Sequence, residues 1–316
     1  MSALRIFGSF PKGLDRLLQE ELSGIDVESK KQLDLYFDFV TTRSTEESFR
    51  VLMLLEPPSV MPENYATKTI KSYDLVIPLS QWRAEMMGLP FFAFQPVDVP
   101  NRVLDRGVKE SKIVFVNALK FGAVSSSLYG WRLEILRKLQ RRGHPVDIFG
   151  PNWDMSIRME IRKRFAATRR ALSSKDFLLS EAWKEFSYRP VGVKGEAQDK
   201  LETISKYKFA LIIENDKFSL TEKLFDALFS GAIVFYRGPK LNLYTTLGNY
   251  CHELPEDVDL AVQMIEAITE LPDSQKLTVD SRELEDNDFA RSFSLKNTST
   301  SLAAAIISSI RSRPIG

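Results

Sequence analysis

The sequence predicts an α/β protein with two Rossmann-like domains. Short apolar runs rich in β-branched residues alternate along the chain with longer segments of helical periodicity, which favours parallel βαβ units. An irregular stretch containing Pro90, Pro96 and Pro100 separates one such series from a second. With 316 residues, the chain is long enough to enclose two hydrophobic cores.

The N-terminal series contains the most apolar strand of the chain. Its run 51–55 ends at Glu56, and two prolines follow directly. We predict strands over 4–8, 35–40, 50–55 and 74–78, and helices over 14–22 and 65–72.

The second series opens with a predicted strand over 112–117 and a helix over 129–142. The division into domains is an N-terminal domain 1–106, a C-terminal domain 107–295, and a helical segment 296–316 that would pack back on the N-terminal domain. Further strands are predicted over 146–151, 207–213 and 233–236, and further helices over 155–172, 221–228, 258–271 and 299–311.

The composition is that of an ordinary globular protein, with 44% hydrophobic and 27% charged residues. A single cysteine excludes an internal disulfide and a cysteine-based zinc site, and two histidines argue against a histidine metal cluster or a serine–histidine hydrolase. Any general base is therefore expected to be a carboxylate. No apolar run reaches the roughly 18 residues that span a bilayer, and the N-terminus lacks the apolar core of a signal peptide, so we expect a cytoplasmic protein.

The segment 207–228 predicts an anion-binding site. A buried strand is followed by a polar loop and by an amphipathic helix that begins near Thr221. The unpaired N–H groups and the dipole of a helix start favour an anion such as phosphate. Lys223 opposes that dipole, which makes most sense if an anion also binds there. Alternatively, Ser219 and Glu222 form a capping box and serve only the helix.

Glu56 is the best candidate for a general base. It ends the most apolar strand, and Pro57 and Pro58 would hold it rigidly at the mouth of a parallel sheet. The alternative is a carboxylate that simply marks the point where the strand meets solvent.

Five short motifs stand out in the sequence: Tyr-Lys-Phe-Ala-Leu-Ile-Ile-Glu-Asn at 207–215, Thr-Glu-Lys-Leu at 221–224, Gly-Pro at 238–239, Val-Asp-Ile-Phe-Gly at 146–150 and Glu-Pro-Pro-Ser at 56–59. Together they resemble the motifs of glycosyltransferase family 10, the α1,3/α1,4-fucosyltransferases that use GDP-fucose. The chain departs from the family pattern at Ser219-Leu220, where the family has Tyr-Val, at Pro57, where it has Ser, and at Phe149, where it has Tyr.

The resemblance implies the GT-B fold, with two Rossmann-like domains that face each other across a cleft. The N-terminal domain would bind the acceptor, an oligosaccharide or a glycolipid, and the C-terminal domain would bind GDP-fucose. The implied reaction is an inverting transfer of fucose to an acceptor hydroxyl, with Glu56 as the base and without a metal or another cofactor.

The resemblance also implies roles for residues of the donor side. Glu222 would bind the ribose hydroxyls, and Lys223 and the helix start at Thr221 would bind the diphosphate. Asn215 corresponds to the loop asparagine of the family, although by itself it could equally form an Asx turn.

A second phosphate ligand is expected on the helix over 129–142. The resemblance favours Arg132, whose planar guanidinium can hold phosphate oxygens in pairs. Arg137 on the same helix is the rival, and either arginine could instead lie on an ordinary solvated face.

Charge is unevenly distributed, although the net charge of +1 implies no overall attraction to nucleic acid. The segment 132–170 is basic and 253–288 is acidic. The basic segment is either a solvated helix face or a surface for an anionic acceptor, a membrane or a nucleic acid. Two alternative functions remain open. One is a transferase of the same fold with another nucleotide sugar, and the other is a non-catalytic nucleic-acid-binding or scaffold protein that uses the basic segment.

Overall fold

The structure is a computed structural model that describes residues 3–8, 12–22, 32–38, 48–78, 84, 104, 108–241, 247–272 and 295–311. The chain divides into two compact units. Unit 1 comprises Met1–Asp98 and Ala290–Gly316, and unit 2 comprises Val99–Phe289.

Helices account for much of the described chain in both units. In chain order they are α1 (Leu14–Leu22), α2 (Thr67–Ile70), α3 (Tyr129–Arg141), α4 (Ile157–Ala171), α5 (Leu179–Trp183), α6 (Lys200–Ser205), α7 (Glu222–Phe229), α8 (Val258–Glu270) and α9 (Leu295–Arg311).

Unit 1 contains a parallel sheet whose strands are β1 (Ala3–Gly8), β2 (Gln32–Phe37), β3 (Ser48–Leu54) and β4 (Leu75–Pro78). They lie side by side in the order β1-β2-β3-β4, and each pair is parallel. Every residue of β3 is buried, as expected for an apolar strand inside a parallel sheet.

The C-terminal helix belongs to the core of unit 1. Leu302 and Ile306 of α9 pack in one apolar cluster with Leu14 and Leu18 of α1 and with the strands. The hydroxyl of Thr300 also donates to Glu21 Oε1 over 2.7 Å. The last helix therefore completes the core of the N-terminal unit.

Unit 2 contains a second parallel sheet, with strands β5 (Glu110–Val116), β6 (Val146–Phe149), β7 (Tyr207–Ile213), β8 (Ile233–Arg237) and β9 (His252–Glu253). The order is β6-β5-β7-β8-β9, and all neighbours are parallel. The chain places β6 on one side of β5 and β7 on the other. The strand order therefore reverses between β5 and β7, and parallel sheets bind ligands beyond the carboxyl ends of their strands at such a point.

Two predicted elements differ in the structure. The helix expected over 65–72 is a 3₁₀ turn, Pro62–Tyr65, and the short α2, because Ala66 is extended (ψ 137°) and separates them. The strand expected over 35–40 ends at Phe37, and residues 39–40 lie outside the described residues. The proline-containing stretch around Pro96 and the acidic residues 273–288 also lie outside them.

The boundaries between the units differ from the expected 106/107 and 295/296. They fall at 98/99 and 289/290. Just before β5, Lys109 Nζ donates to the carbonyl oxygens of Ser230 and Gly231 within unit 2. None of the described helices is long and apolar enough to cross a membrane.

Gly150 is predicted to be essential for the fold of unit 2. Its φ is +135°, and an added Cβ would overlap the backbone of Asn117 at the end of β5. Gly150→Ala should therefore lower the free energy of unfolding by about 3 kcal/mol or more. Gly143→Ala is the matched control, because Gly143 has φ +84° but no atom within 4 Å of the added Cβ. It should cost only about 1 kcal/mol, and equal losses in urea unfolding would contradict this account.

Candidate functional site

The candidate site of unit 2 lies at the carboxyl end of β7, beside the point where the strand order reverses. Glu214 and Asn215 follow β7 directly. Two helices begin next to them: Leu128 N, before α3, donates to Asn215 O over 3.2 Å, and Thr221 N, before α7, donates to Glu214 Oε1 over 3.0 Å. Two helix N-termini and two polar side chains are thus brought together.

The side-chain oxygen of Asn215 joins two cations. Arg132 Nη2 donates to Asn215 Oδ1 over 2.9 Å and to Ile213 O over 2.7 Å. Lys223 Nζ donates to the same Asn215 Oδ1 over 3.1 Å. The structure therefore brings together three of the residues that the sequence singled out, from segments more than 80 residues apart.

Both cations are shielded from solvent. Arg132 is 3% exposed, and burial lowers its pKa to about 10 although Tyr129 and Glu214 oppose the change. The Lys223 side chain is 14% exposed, and burial lowers its pKa to about 8. The nearby Glu214 carboxylate opposes this change, whereas the positive charge of Arg132 adds to it. Arg132 Nε is buried and has no hydrogen-bond partner among the described residues. A buried donor without a partner costs about 1–3 kcal/mol, which an incoming acceptor would recover.

Glu214 is a site residue that the sequence analysis missed. Its side chain is fully buried, and it accepts from Thr221 N over 3.0 Å and from Thr221 Oγ1 over 2.6 Å. Its Oε2 lies 3.7 Å from Lys223 Nζ. Burial raises the pKa of Glu214, and Lys223 and Thr221 only partly oppose this. The signal was present: like Glu56, Glu214 is a carboxylate placed directly after an apolar strand.

The capping box that was the alternative at Ser219 and Glu222 is not formed, and the predicted helix start near Thr221 is confirmed. The N-cap of α7 is Thr221, which is extended at φ −127° and ψ 174°. Hydrogen bonds from Thr221 to Glu214 hold the chain in that conformation, so the helix begins two residues later than the capping box would place it. Ser219 lies in the preceding turn and is buried.

Glu222 lies at the edge of this site. Its side chain is half exposed, and its Oε1 is 3.5 Å from Lys200 Nζ. Burial opposes its ionisation, but Lys223 and Lys200 outweigh this effect and lower the pKa of Glu222. It is therefore an ionised acceptor beside the cations, without a contact to Asn215 in the described hydrogen bonds.

Arg137, the rival of Arg132, faces away from Asn215. Its Nε lies 2.6 Å from Glu185 Oε2, and this ion pair accounts for its charge. Residues five apart on a helix point about 140° apart, so only one of the two arginines can face β7. The geometry selects Arg132 as the member of the cluster.

In unit 1, Glu56 is held by its backbone. Glu56 N donates to Asp38 Oδ2 over 2.9 Å, and Leu55 N donates to Asp38 Oδ1 over 3.1 Å. The phenol of Tyr65 donates to Glu56 O over 3.1 Å. Pro57 follows Glu56 and is buried. The backbone at Glu56 is thus fixed at the carboxyl end of β3 while its side chain stays partly exposed.

Asp38 is a second residue that the sequence analysis missed. It follows β2, has φ +50°, and also contacts Asn64 Nδ2. Burial raises the pKa of Asp38 to about 7; the N–H groups of Leu55 and Glu56 oppose this change, and the Glu56 carboxylate adds to it. The predicted strand over 35–40 placed Asp38 inside a strand, whereas Asp38 follows the carboxyl end of β2.

No group of three or more His, Cys, Asp or Glu residues that could hold a metal ion occurs within the described part of the chain.

No protein-family model matches the sequence, and no curated protein matches it. Solved structures match by fold. An α,α-trehalose 6-phosphate synthase from Burkholderia multivorans aligns with 94% of this chain and 74% of its own, at 10% identity and a TM-score of 0.53. A trehalose-6-phosphate synthase studied with bisubstrate glycomimetics for glycosyltransfer with retention aligns with 97% of this chain and 80% of its own, at 10% identity and a TM-score of 0.51.

Two further matches have lower scores. An α1,3-fucosyltransferase with GDP aligns with 99% of this chain and 91% of its own, at 13% identity and a TM-score of 0.49. A chain of the GtfA/B complex aligns with 90% of this chain at 11% identity and a TM-score of 0.45, and this chain spans only 58% of its length. The synthases and the two parallel sheets show the fold, which is GT-B with two Rossmann-like units.

Asp38 makes the stability of unit 1 depend on pH. Since its folded pKa of about 7 lies above the ordinary value near 4, the folded state keeps a proton that the unfolded state releases, and stability falls as the pH rises from about 4 to about 7. Asp38→Asn cannot titrate, so it should reduce this fall by about 4 kcal/mol in urea unfolding. Glu63→Gln, which removes an exposed carboxylate of the same unit, is the control for net charge. An identical pH slope in Asp38→Asn and the unchanged protein would contradict the prediction.

Proposed function

We propose that this protein is a glycosyltransferase that binds the diphosphate of a nucleotide sugar at Arg132 and Lys223. The observation that carries the proposal is that both cations donate to Asn215 Oδ1 in a largely buried position. Amide oxygens accept hydrogen bonds but carry no compensating charge. Two cations held together in this way leave positive charge and hydrogen-bond donors available to an anionic group such as a diphosphate.

The charge balance supports a diphosphate. Glu214 is the carboxylate nearest to Lys223, at 3.7 Å, and it is occupied by Thr221. The starts of α3 and α7 add N–H groups and the positive ends of their dipoles. Preorganised positive groups of this kind stabilise the charge that develops on a leaving nucleoside diphosphate.

For the donor we propose GDP-fucose, on the resemblance of 207–215 and 221–224 to the donor motif of the fucosyltransferases. Glu222, ionised and half exposed at the start of α7, would accept hydrogen bonds from the ribose hydroxyls. Arg132 and Lys223 would hold the two phosphates. The GT-B fold supports a sugar-nucleotide donor, although folds of this kind serve many substrates.

For the acceptor side we propose that Glu56 is the general base. It would take the proton of a glycan hydroxyl, whose oxygen then attacks the anomeric carbon while the bond to the diphosphate breaks. A single displacement of this kind inverts the configuration at that carbon. The hydrogen bonds that Glu56 N donates to Asp38 and that the Tyr65 phenol donates to Glu56 O support the assignment, because a general base acts only from a fixed position.

The second candidate is transfer of a different sugar from another nucleotide, such as UDP. It is favoured by the departure at Ser219, which is buried in a turn where the family has an aromatic residue, so the family's donor contact at this point is missing. Arg132 and Lys223 would then bind the diphosphate of a UDP-sugar. The relative affinities for GDP and UDP distinguish the two candidates.

Lys223→Ala should weaken GDP binding at least about 30-fold, or about 2 kcal/mol, because it removes a buried charge-assisted donor. The measurement is calorimetric titration with GDP and UDP. Above pH 8 the affinity of the unchanged protein should fall, because free Lys223 then loses the proton that the bound anion requires. Lys223→Arg should keep binding and remove this pH dependence.

Arg137→Ala is the control on the same helix as Arg132. Arg137 is paired with Glu185, so this change should leave GDP affinity unaltered, whereas Arg132→Ala should weaken it as Lys223→Ala does. Unchanged GDP affinity in both Lys223→Ala and Arg132→Ala would contradict the proposed donor site. A preference for UDP over GDP would instead support the second candidate.

Glu56→Gln should leave GDP affinity intact and reduce transfer about 100-fold or more, because the amide keeps the shape but cannot accept the proton. Transfer is measured with GDP-fucose and a glycan array, and Glu63→Gln serves as the control. Full transfer by Glu56→Gln would reject Glu56 as the base without affecting the donor assignment.

A further inference from the structure

The outward face of α4 combines large apolar side chains with arginines. Phe165 is 59% exposed and Leu172, which caps the helix, is 61% exposed. Arg158, Arg162 and Arg169 are also exposed. Large exposed apolar side chains grouped on one surface mark a site of interaction more often than scattered ones do.

These five residues lie on one side of the helix. At about 100° per residue they fall within about 80° of each other around the axis. The buried residues Glu160, Arg164, Ala167 and Ala171 lie on the opposite side. The apolar and basic groups are therefore interleaved along one exposed stripe and do not divide into an apolar face and a basic face.

Aromatic side chains extend the stripe beyond α4. Phe165 contacts Trp183 at the end of α5, with ring centroids 5.1 Å apart, and Trp183 contacts Phe186 at 5.7 Å. Phe186 is 41% exposed. We call the surface formed by Arg158, Arg162, Phe165, Arg169, Leu172 and Phe186 the outer patch.

The arginines of the outer patch differ from two basic residues of α3. Arg137 of α3 pairs with Glu185, and Lys138 pairs with Glu134 and Asp259. For Arg158, Arg162 and Arg169, no ion pair is found among the described residues. Their charge is therefore available to an external anion.

We propose that the outer patch docks this protein on an anionic lipid surface. Arginines next to such a surface are attracted to lipid phosphates, and aromatic and aliphatic side chains enter the boundary between head groups and acyl chains. A nucleic acid would use the arginines but would leave Leu172 in water. The inference is independent of the proposed transfer reaction, because it concerns a different surface and requires no activity.

The test is sedimentation of the full chain with vesicles. Binding is expected to vesicles of phosphatidylglycerol and phosphatidylcholine, and not to vesicles of phosphatidylcholine alone. It should weaken as salt is raised, since the attraction of surface charges is screened. The triple variant Arg158→Glu, Arg162→Glu, Arg169→Glu should weaken the partition by about 100-fold or more.

The matched control reverses three exposed lysines of unit 1 in the variant Lys68→Glu, Lys71→Glu, Lys296→Glu, which has the same net charge as the arginine variant. It should bind anionic vesicles much better than the arginine variant. The double variant Phe165→Ser, Leu172→Ser tests the apolar contribution: it should lose the part of the binding that survives high salt. It also keeps the test open if the arginine variant does not fold.

Any one of four results would overturn the proposal. The first is sedimentation at background level with anionic vesicles. The second is equal loss of binding in the arginine and lysine variants, and the third is unchanged salt-resistant binding in the Phe165 and Leu172 variant. Binding to single-stranded RNA without binding to vesicles would also overturn it and assign the patch to nucleic acid.

Discussion

The site of unit 2 depends on the side-chain oxygen of Asn215. Because Arg132 and Lys223 both donate to it, their nitrogens lie no more than about 6 Å apart. At an effective dielectric constant of 20, their repulsion is about 3 kcal/mol, and the attraction between Lys223 and Glu214 at 3.7 Å is about 4 kcal/mol. One carboxylate thus offsets the repulsion but leaves a positive charge in a shielded place, and an anion that reaches both cations would stabilise it.

The same carboxylate also shapes the backbone. Glu214 fixes Thr221 through two hydrogen bonds and so determines where α7 begins and where Lys223 lies. It also contributes to the need for Gly238, since an added Cβ at this position would overlap the hydroxyl of Tyr236 and would lie 2.7 Å from Glu214 Cγ. The glycine of the Gly-Pro motif at 238–239 therefore leaves room for both Tyr236 and Glu214. A substitution of Glu214 would therefore change both the charge beside Lys223 and the position at which α7 begins.

Local pattern was enough for much of the fold and for only part of the site. The strands β5 to β8 and the helices α1, α4 and α8 were predicted from patterns of neighbouring residues, whereas the two-residue strand β9 was not predicted. The predicted start of α7 near Thr221 is confirmed, whereas the alternative capping box of Ser219 and Glu222 is wrong because hydrogen bonds to Glu214 hold Thr221 as the N-cap. The choice between Arg132 and Arg137 needed the contact to Asn215, 83 residues away, which no local pattern contains.

Charge density along the chain is equally ambiguous, because the partners of a basic residue come from distant segments. Within 132–170, Arg137 pairs with Glu185, while Arg164 is buried against Glu160. Each of these pairs neutralises a charge that the sequence alone would count as free. The outer face of α4 keeps exposed arginines that have no ion pair among the described residues, and Phe165 lies between them. Electrostatic attraction and apolar contact therefore coincide on this surface, and this coincidence favours a lipid over a purely polyanionic partner.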